Sequence, residues 1–169
     1  MNALAERFPV LAAALPHVPL ADLPSALEPA SGLGAALSPL RSTPALRLKR
    51  DDHCAAAYGG NKVRKLEYLL GDALARGCDA VLTFGAAGSN HALATAIYAR
   101  QLGLVCHAVL TDQLPTPWVA DTLRWHAMLG TQLHPVADYA GVVAATEALQ
   151  AAHPAGAGRL YVIPWGGSS

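Results

Sequence analysis

Residues 80–91 read AVLTFGAAGSNH, an apolar run followed by a loop of small residues. The run Ala80–Phe84 is typical of a buried strand, and residues 92–101 continue as a helix that stops near Gly103. A strand that passes through a short loop into a helix is the repeating unit of a parallel α/β sheet. This unit sets the fold class and makes the loop Gly85–His91 a candidate ligand site.

The same alternation continues towards the end of the sequence. Apolar strands are predicted at residues 104–110, 132–136 and 160–163, and helices at residues 118–129 and 142–152. Continuous apolar strands are buried on both faces and require helices on both faces. We therefore predict an α/β fold of three layers, with an open parallel sheet and right-handed crossovers.

Upstream, residues 59–67 read GGNKVRKLE and begin another helix. Its apolar face follows helical spacing and comprises Leu66, Leu69, Leu70, Ala73 and Leu74. Asn61 is the predicted N-cap and Gly77 the predicted stop. Lys62, Arg64 and Lys65 then occupy the first turn, where the positive end of the helix dipole disfavours cations.

Several interpretations of Lys62 stay open at this point. A lysine near other cations and a helix N-terminus loses preference for its charged form, which a nucleophilic or Schiff-base lysine requires. An ordinary surface lysine is the simpler interpretation, and an anion bound at this helix end would explain all three cations. Arg64 and Lys65 are interpreted as solvated or paired with Glu67 or Asp51.

In the loop Gly85–His91, Ser89 and Asn90 follow the carboxyl end of a strand, where open parallel sheets bind ligands. Free N–H groups there can receive a carboxylate, although a simple helix cap by Ser89 or Asn90 explains the same residues. The loop lacks the GxGxxG, GxxxxGK[ST] and GxSxG patterns, which argues against dinucleotide, P-loop and nucleophile-elbow sites. His91 is a candidate through its place in this loop, and the histidines show no metal-ligand spacing.

Composition narrows the class of protein. Its 169 residues suit about one domain, with 53% apolar and 14% charged residues. Zero net charge argues against nucleic-acid or membrane-surface binding driven by electrostatics. Three widely spaced cysteines without a CxxC pair indicate buried thiols in a reducing compartment. The apolar stretch at residues 10–15 lacks a basic n-region and is too short to span a bilayer, so we expect a cytoplasmic protein.

The first 45 residues are predicted to form an ordered but irregular arm, with a short helix before Leu15. Prolines punctuate this arm at Pro9, Pro16, Pro19, Pro24, Pro29, Pro39 and Pro44. A short strand follows at residues 46–49. At the other end, residues 164–169 are predicted to form another strand-to-helix turn, with Ser168 or Ser169 at a cap position.

Two motifs together resemble one family: GGNKVRKLEYLL at residues 59–70 and GAAGSNH at residues 85–91. They are similar to the pyridoxal-phosphate enzymes of the 1-aminocyclopropane-1-carboxylate (ACC) deaminase and D-cysteine desulfhydrase family, which have fold type II. Shorter matches support the resemblance: Pro19-Leu20 with Leu27-Glu28-Pro29 for its "PL…LEP", residues 48–52 for its "KRDD", and residues 163–169 for its "IPxGGS". The sequence departs from the family at Ala87-Gly88, at residues 53–58 and at residues 24–29.

The resemblance implies a role for each candidate residue. Lys62 would form the Schiff base with pyridoxal phosphate, and Asn90 would hydrogen-bond the phenolic oxygen of the cofactor. Ser89, Asn90 and His91 would receive the substrate carboxylate, and Ser89 would assist proton transfer. The substrate would be a small amino acid, either ACC or D-cysteine, and no metal would be needed.

Family members are about twice this length, and the resemblance implies a division of the sequence. Residues 1–60 would be the arm of the large cofactor domain, residues 61–164 the small αβ domain, and residues 165–169 the return to the large domain. The family's phosphate-binding loop has no counterpart here, so we expect weak cofactor binding and little turnover. The alternatives are a catalytically dead αβ domain that binds a partner and, less well supported, a Rossmann-like nucleotide binder. A longer protein of this family would be a homodimer.

Overall fold

The computed structural model of the protein describes residues 6–37, 46–153 and 158–168. Pro39, Pro44 and Ser169 lie outside the described residues. The strands are β1 (Leu27–Pro29), β2 (Arg47–Lys49), β3 (Cys78–Ala86), β4 (Val105–Thr111), β5 (Gln132–Val136) and β6 (Arg159–Val162). The helices are α1 (Pro9–Ala14), α2 (Ser31–Leu37), α3 (Lys62–Ala75), α4 (Asn90–Gln101), α5 (Pro117–Leu129) and α6 (Tyr139–Ala152). These bounds agree closely with the segments predicted from periodicity.

The central sheet has four parallel strands in the order β5-β4-β3-β6. The chain moves outward from β3 to β4 and β5, then returns across the sheet so that β6 lies on the other side of β3. The strand order therefore reverses between β3 and β6. In open parallel sheets, the crevice beyond the carboxyl ends of the strands at such a reversal is where ligands bind.

Alternate side chains of β3 point to opposite faces of the sheet. Val81 belongs to a core that includes Leu66 of α3 and Tyr98 of α4. Leu82 belongs to a second core with Val142 of α6. Helices therefore cover both faces, which confirms the predicted α/β fold and its parallel sheet.

The arm packs on α3 through a buried carboxylate. Glu67 is 3% exposed, and its Oε1 accepts hydrogen bonds from the backbone N–H groups of Leu20 and Ala21, both at 3.0 Å. Because Glu67 is used in this way, it is not the partner of Arg64 or Lys65, and that alternative was wrong. At Gly71 a Cβ would lie 2.8 Å from the carbonyl oxygen of Pro16, so the arm requires a glycine there.

The start of α3 differs from the prediction in one respect. Asn61 occupies the N-cap position, but its side chain makes no capping hydrogen bond and its backbone is already helical, with φ −63° and ψ −21°. The turn comes one residue earlier, at Gly60, whose φ is +108°. The Val63 N–H donates to the Gly60 carbonyl at 3.4 Å, so the backbone supplies the bond expected from the Asn61 side chain.

The three cysteines, Cys54, Cys78 and Cys106, are free and buried, which confirms the prediction of buried thiols. Burial raises the pKa of the Cys106 thiol to about 12.

Among the described segments, none of the helices has the length and apolar character needed to cross a membrane.

We expect the stability of the protein to fall in mild acid because of its buried histidines. Burial lowers the pKa of His126 to about 4 from an ordinary value of 6.5. The unfolded chain therefore takes up a proton that the folded chain does not, so stability is full above pH 6.5 and decreases as the pH falls to about 4. Near pH 5.5, His126 alone should account for a loss of about 1 kcal/mol.

Urea unfolding of the wild type and of His126→Gln at about pH 7.5 and about pH 5.5 checks this expectation. Glutamine can keep a hydrogen bond to Thr131, which His126 Nδ1 contacts at 3.1 Å. The difference in unfolding free energy between the two pH values should be smaller in the variant. Equal differences in the two proteins would contradict the assignment.

Candidate active site at the reversal of the sheet

The turn that follows β6 crosses the crevice at the reversal of the strand order. Residues Trp165–Gly167 form a tight turn that is not helical at Gly166, with positive φ angles of 62° at Gly166 and 66° at Gly167. The Trp165 ring stacks on Phe84 near the carboxyl end of β3, with ring centroids 5.6 Å apart. Two adjacent glycines are needed because residues with a side chain rarely adopt a positive φ.

Lys62 and Lys65 both reach this glycine turn. Their Nζ atoms donate to the Gly166 carbonyl oxygen at 3.4 Å and 3.2 Å, and Lys65 also hydrogen-bonds Ser168 Oγ. Across the described parts of the chain, no carboxylate forms an ion pair with Lys62. The Lys62 amine is therefore held by a neutral carbonyl at the positive end of a helix.

Arg64, the third cation of this turn, points elsewhere. Its Nη2 lies 2.5 Å from Asp51 Oδ1 and donates to Ser25 Oγ at 3.1 Å. Hydrogen bonds from Ser25 and Arg64 lower the pKa of the Asp51 carboxyl group. The predicted pairing of Arg64 with Asp51 is confirmed, and Arg64 is a structural cation.

The glycine turn also brings His91 next to the two lysines. A Cβ on Gly166 would lie 3.7 Å from Lys62 Nζ, and a Cβ on Gly167 would lie 3.3 Å from His91 Cε1. Lys62, Lys65 and His91 thus converge on a small space that any larger side chain at residues 166–167 would reduce.

His91 is a buried polar residue without a partner. It is 5% exposed, and within the described residues neither ring nitrogen has a hydrogen-bond partner. Burial, together with the positive charges of Lys62 and Lys65, lowers the pKa of His91 to about 4. The ring is therefore neutral near pH 7, with one donor and one acceptor available to a ligand.

Ser89 is the N-cap of α4. Its Oγ accepts a hydrogen bond from the Ala92 N–H at 3.3 Å. A Cβ on Gly85 would lie only 2.4 Å from the Ser89 Cβ, so the small residues of this loop let Ser89 lie against the end of β3. The structure thus confirms the helix-cap interpretation of Ser89 and leaves its hydroxyl proton free to donate.

Asn90 is exposed, and its side chain pairs with a residue that the sequence did not single out. The Tyr58 hydroxyl donates to Asn90 Oδ1 at 2.8 Å. A second unpredicted contact fixes the loop, where the Gly88 N–H donates to Gln113 Oε1 at 2.8 Å. Tyr58 directly precedes the Gly59-Gly60 pair and was within reach of sequence reasoning, whereas nothing in the sequence pointed to Gln113.

The arrangement suits an aldehyde cofactor and an anionic substrate better than a metal. As far as the structure describes the chain, the site offers an amine without a carboxylate partner and a buried neutral ring whose nitrogens have no hydrogen-bond partner. It also offers a glycine-lined space and the N-terminus of a 12-residue helix. Among the described residues, no three metal-ligating side chains form a group that could hold an ion. The residues present therefore fit pyridoxal phosphate.

Comparison with protein families shows to which enzyme family the chain belongs. A family model for pyridoxal-phosphate dependent enzymes matches residues 24–167. The chain belongs to this family. Its members depend on pyridoxal phosphate, in agreement with the cofactor implied by the sequence motifs.

Several relatives in the pyridoxal-phosphate family are similar to this chain. Nocardicin C-9' epimerase of Nocardia uniformis subsp. tsuyamanensis is 43% identical over 159 residues, covering 92% of this chain. D-cysteine desulfhydrase of Salmonella paratyphi B is 40% identical over 126 residues, covering 72% of this chain. The crystal structure of an ACC deaminase homologue superimposes with a TM-score of 0.79 and 30% identity over 100% of this chain.

The chain spans less than half the length of these relatives. It covers 46% of the epimerase, 38% of the desulfhydrase and 49% of the crystallised deaminase homologue. The resemblance stated from the sequence motifs is confirmed, including its restriction to the N-terminal part of the family.

We expect Ser89 to stabilise the folded protein through its capping hydrogen bond. Replacing Ser89 with alanine should lower the unfolding free energy by about 1 kcal/mol, because the Ala92 N–H loses its acceptor. Ser89→Asn, which retains a capping oxygen, should stay within a few tenths of the wild type. Chemical denaturation followed by circular dichroism measures both, and equal losses in the two variants would contradict the capping role.

Proposed function

We propose that the chain forms part of the active site of an enzyme that uses pyridoxal phosphate to break a bond at the amine-bearing carbon of a small amino acid. One observation carries the proposal: the Lys62 amine is held at the glycine turn Gly166-Gly167 beside the buried His91. Within the described part of the chain, this amine has no carboxylate partner and the His91 ring has no hydrogen-bond partner. A lysine amine free of a counter-anion is what an aldehyde cofactor requires.

Each candidate residue has a proposed role. Lys62 holds the cofactor and moves a proton at the amine-bearing carbon of the substrate or at the carbon next to it, while Asn90 donates to the phenolic oxygen of the cofactor. Ser89, Asn90 and His91 receive the substrate carboxylate at the N-terminus of α4, and the Ser89 hydroxyl assists proton transfer. When bound, pyridoxal phosphate supplies an electron sink for the bond next to the substrate amine.

The electrostatics of the site support this distribution of roles. His91 is neutral near pH 7, so its ring can donate to a carboxylate without adding a third positive charge beside Lys62 and Lys65. The two lysines and the helix dipole then supply the positive potential that an amino-acid carboxylate needs. The binding of a substrate that carries a carboxylate is thereby favoured over the binding of one that does not.

Deamination or desulfhydration is the activity that we propose first. The D-cysteine desulfhydrase relative and the ACC deaminase homologue share this chain's fold or much of its sequence. By analogy with their names, ACC and D-cysteine are the first substrates to test.

Epimerisation is a second candidate, favoured by a specific observation. Nocardicin C-9' epimerase shares 43% identity over 159 residues, a longer stretch than the match to the desulfhydrase. An epimerase removes a proton from an amino-acid Cα and returns one to the opposite face. Lys62 could move the proton at the Cα in that reaction.

We also propose an organisation for the whole protein. Residues 1–60 would contribute the arm of a large cofactor domain, residues 61–164 the small αβ domain, and residues 165–169 the return towards the large domain.

The working protein would be a homodimer in the cytoplasm, a location that the three free, buried thiols support. Exposed aromatic residues such as Trp118 and Trp125 are the feature most compatible with the alternative of a catalytically dead interaction fragment.

Covalent capture of the cofactor tests the proposal. We expect the chain, mixed with pyridoxal phosphate and treated with borohydride, to carry the reduced cofactor on Lys62. The sequence has three lysines, at positions 49, 62 and 65, so peptide mapping by mass spectrometry can assign the site. Lys62→Ala should lose the label and the visible absorption of the lysine–cofactor bond.

Lys65→Ala is the matched control, because Lys65 donates to the same Gly166 carbonyl oxygen from the same helix turn. It should keep the label on Lys62. A label that is absent from the wild type, or that persists on the Lys62→Ala variant, would overturn the proposed cofactor site.

Product analysis in deuterium oxide separates the candidate activities. With the cofactor present, a deaminase or desulfhydrase should release ammonia from ACC, or ammonia and sulfide from D-cysteine. An epimerase should instead invert the Cα of a chiral amino acid and incorporate solvent deuterium there without releasing ammonia. Because little turnover is expected of this chain, a slow conversion that is lost in Lys62→Ala would support an active enzyme. No conversion by chain that carries the cofactor on Lys62 would favour the interaction fragment.

A further inference from the structure

We infer that Tyr58 is a positioning residue that fixes the orientation of the Asn90 side-chain amide, so that Asn90 presents its NH₂ group to the ligand. The inference rests on the proposed function at one point, namely that Asn90 donates to an oxygen of the cofactor. Neither the resemblance nor the family match assigns a role to Tyr58.

The hydrogen bond between the two side chains carries the inference. The Tyr58 hydroxyl donates to Asn90 Oδ1 at 2.8 Å. An asparagine side chain has an acceptor oxygen and a donor nitrogen, and a half-turn about its last bond exchanges them. A tyrosine hydroxyl can donate or accept, but here it donates to Oδ1, which holds the oxygen towards Tyr58 and leaves the nitrogen for an electron-rich partner. Without Tyr58, the exposed Asn90 amide could turn and present its oxygen to an anion.

Tyr58 itself is held from two sides. Its carbonyl oxygen accepts a hydrogen bond from the Tyr98 hydroxyl at 2.7 Å, and Tyr98 is 1% exposed. Its ring lines a groove with Leu93 and Trp118. Burial raises the pKa of the Tyr58 phenol, so the hydroxyl stays protonated and remains a donor. An anchored backbone and a partly buried ring give the hydroxyl a defined place.

The turn next to Tyr58 links it to the lysine helix. A Cβ on Gly59 would lie 2.0 Å from the Asp52 carbonyl oxygen, so this position requires glycine. The Gly60 N–H donates to the Asp51 carbonyl oxygen at 2.6 Å. Tyr58 thus leaves the same tight turn from which Lys62 begins α3, and its side chain crosses to the start of α4. It spans the two helix N-termini that provide the proposed cofactor ligands.

Tyr58→Phe removes the hydroxyl and leaves the ring and backbone contacts in place. We expect it to weaken the Kd for pyridoxal phosphate about three- to tenfold, the effect of one neutral hydrogen bond. In an Asn90→Ala background the same change should have almost no effect, because Tyr58 acts through Asn90. Tyr139→Phe is the matched control, since Tyr139 is 73% exposed on α6 and its variant should bind as the wild type does.

An unchanged Kd in Tyr58→Phe would overturn the inference. So would an equal loss with and without Asn90, which would mean that Tyr58 acts on the ligand directly or on the fold. Unfolding curves of the variants exclude a loss of folded protein as the cause.

A measurement without the cofactor keeps this inference separate from the proposed function. In a ¹H–¹⁵N spectrum, the side-chain NH₂ resonances of Asn90 should shift in Tyr58→Phe, while those of Asn61 should not. If the wild type takes up no cofactor, the proposed function fails for this chain, and the Asn90 resonances alone then decide the inference. Unmoved Asn90 resonances would overturn it whatever the cofactor does.

Discussion

The pairing of β6 beside β3 is the constraint on which the rest of the site depends. These two strands are far apart in the sequence, and their register places Leu82 opposite Val162. The chain that leaves β6 must therefore pass the carboxyl end of β3 and the start of α3. Two glycines with positive φ make that passage tight enough for the Gly166 carbonyl to meet Lys62 and Lys65. Without this strand order, Lys62, Lys65 and His91 would not meet at the turn Gly166-Gly167.

The charges at the start of α3 fit a site that binds anions rather than one built for stability alone. Three cations in the first turn work against the helix dipole. An ion pair with Asp51 compensates the charge of one of these cations, Arg64. Among the residues that the structure describes, the other two contact a carbonyl and a serine hydroxyl. A neutral His91 beside them avoids a further positive charge and leaves a buried polar group for a ligand to satisfy.

Much of the fold could be predicted because hydrophobic periodicity reports directly on local structure. The strands β3 to β6 and the helices α3 to α6 were located from apolar runs, helical spacing and glycine stops. Ser89 and Asn90 became candidate site residues because they follow the end of a strand, and Lys62 because its charge conflicts with its helix position. The predictions failed where the partner was distant or belonged to the backbone. Asn61 does not cap α3, and Glu67 binds the arm instead of a neighbouring cation.

The sequence by itself determined the α/β class and the family and named the candidate site residues, because motifs and periodicity are properties of short stretches. Only the tertiary structure decided which of those residues meet. It placed Gly166 over Lys62 and Gly167 against His91, and it paired Tyr58 with Asn90. These contacts join residues separated by tens of positions. They depend on strand order and on the close approach that glycine permits, neither of which leaves a local signal in the sequence.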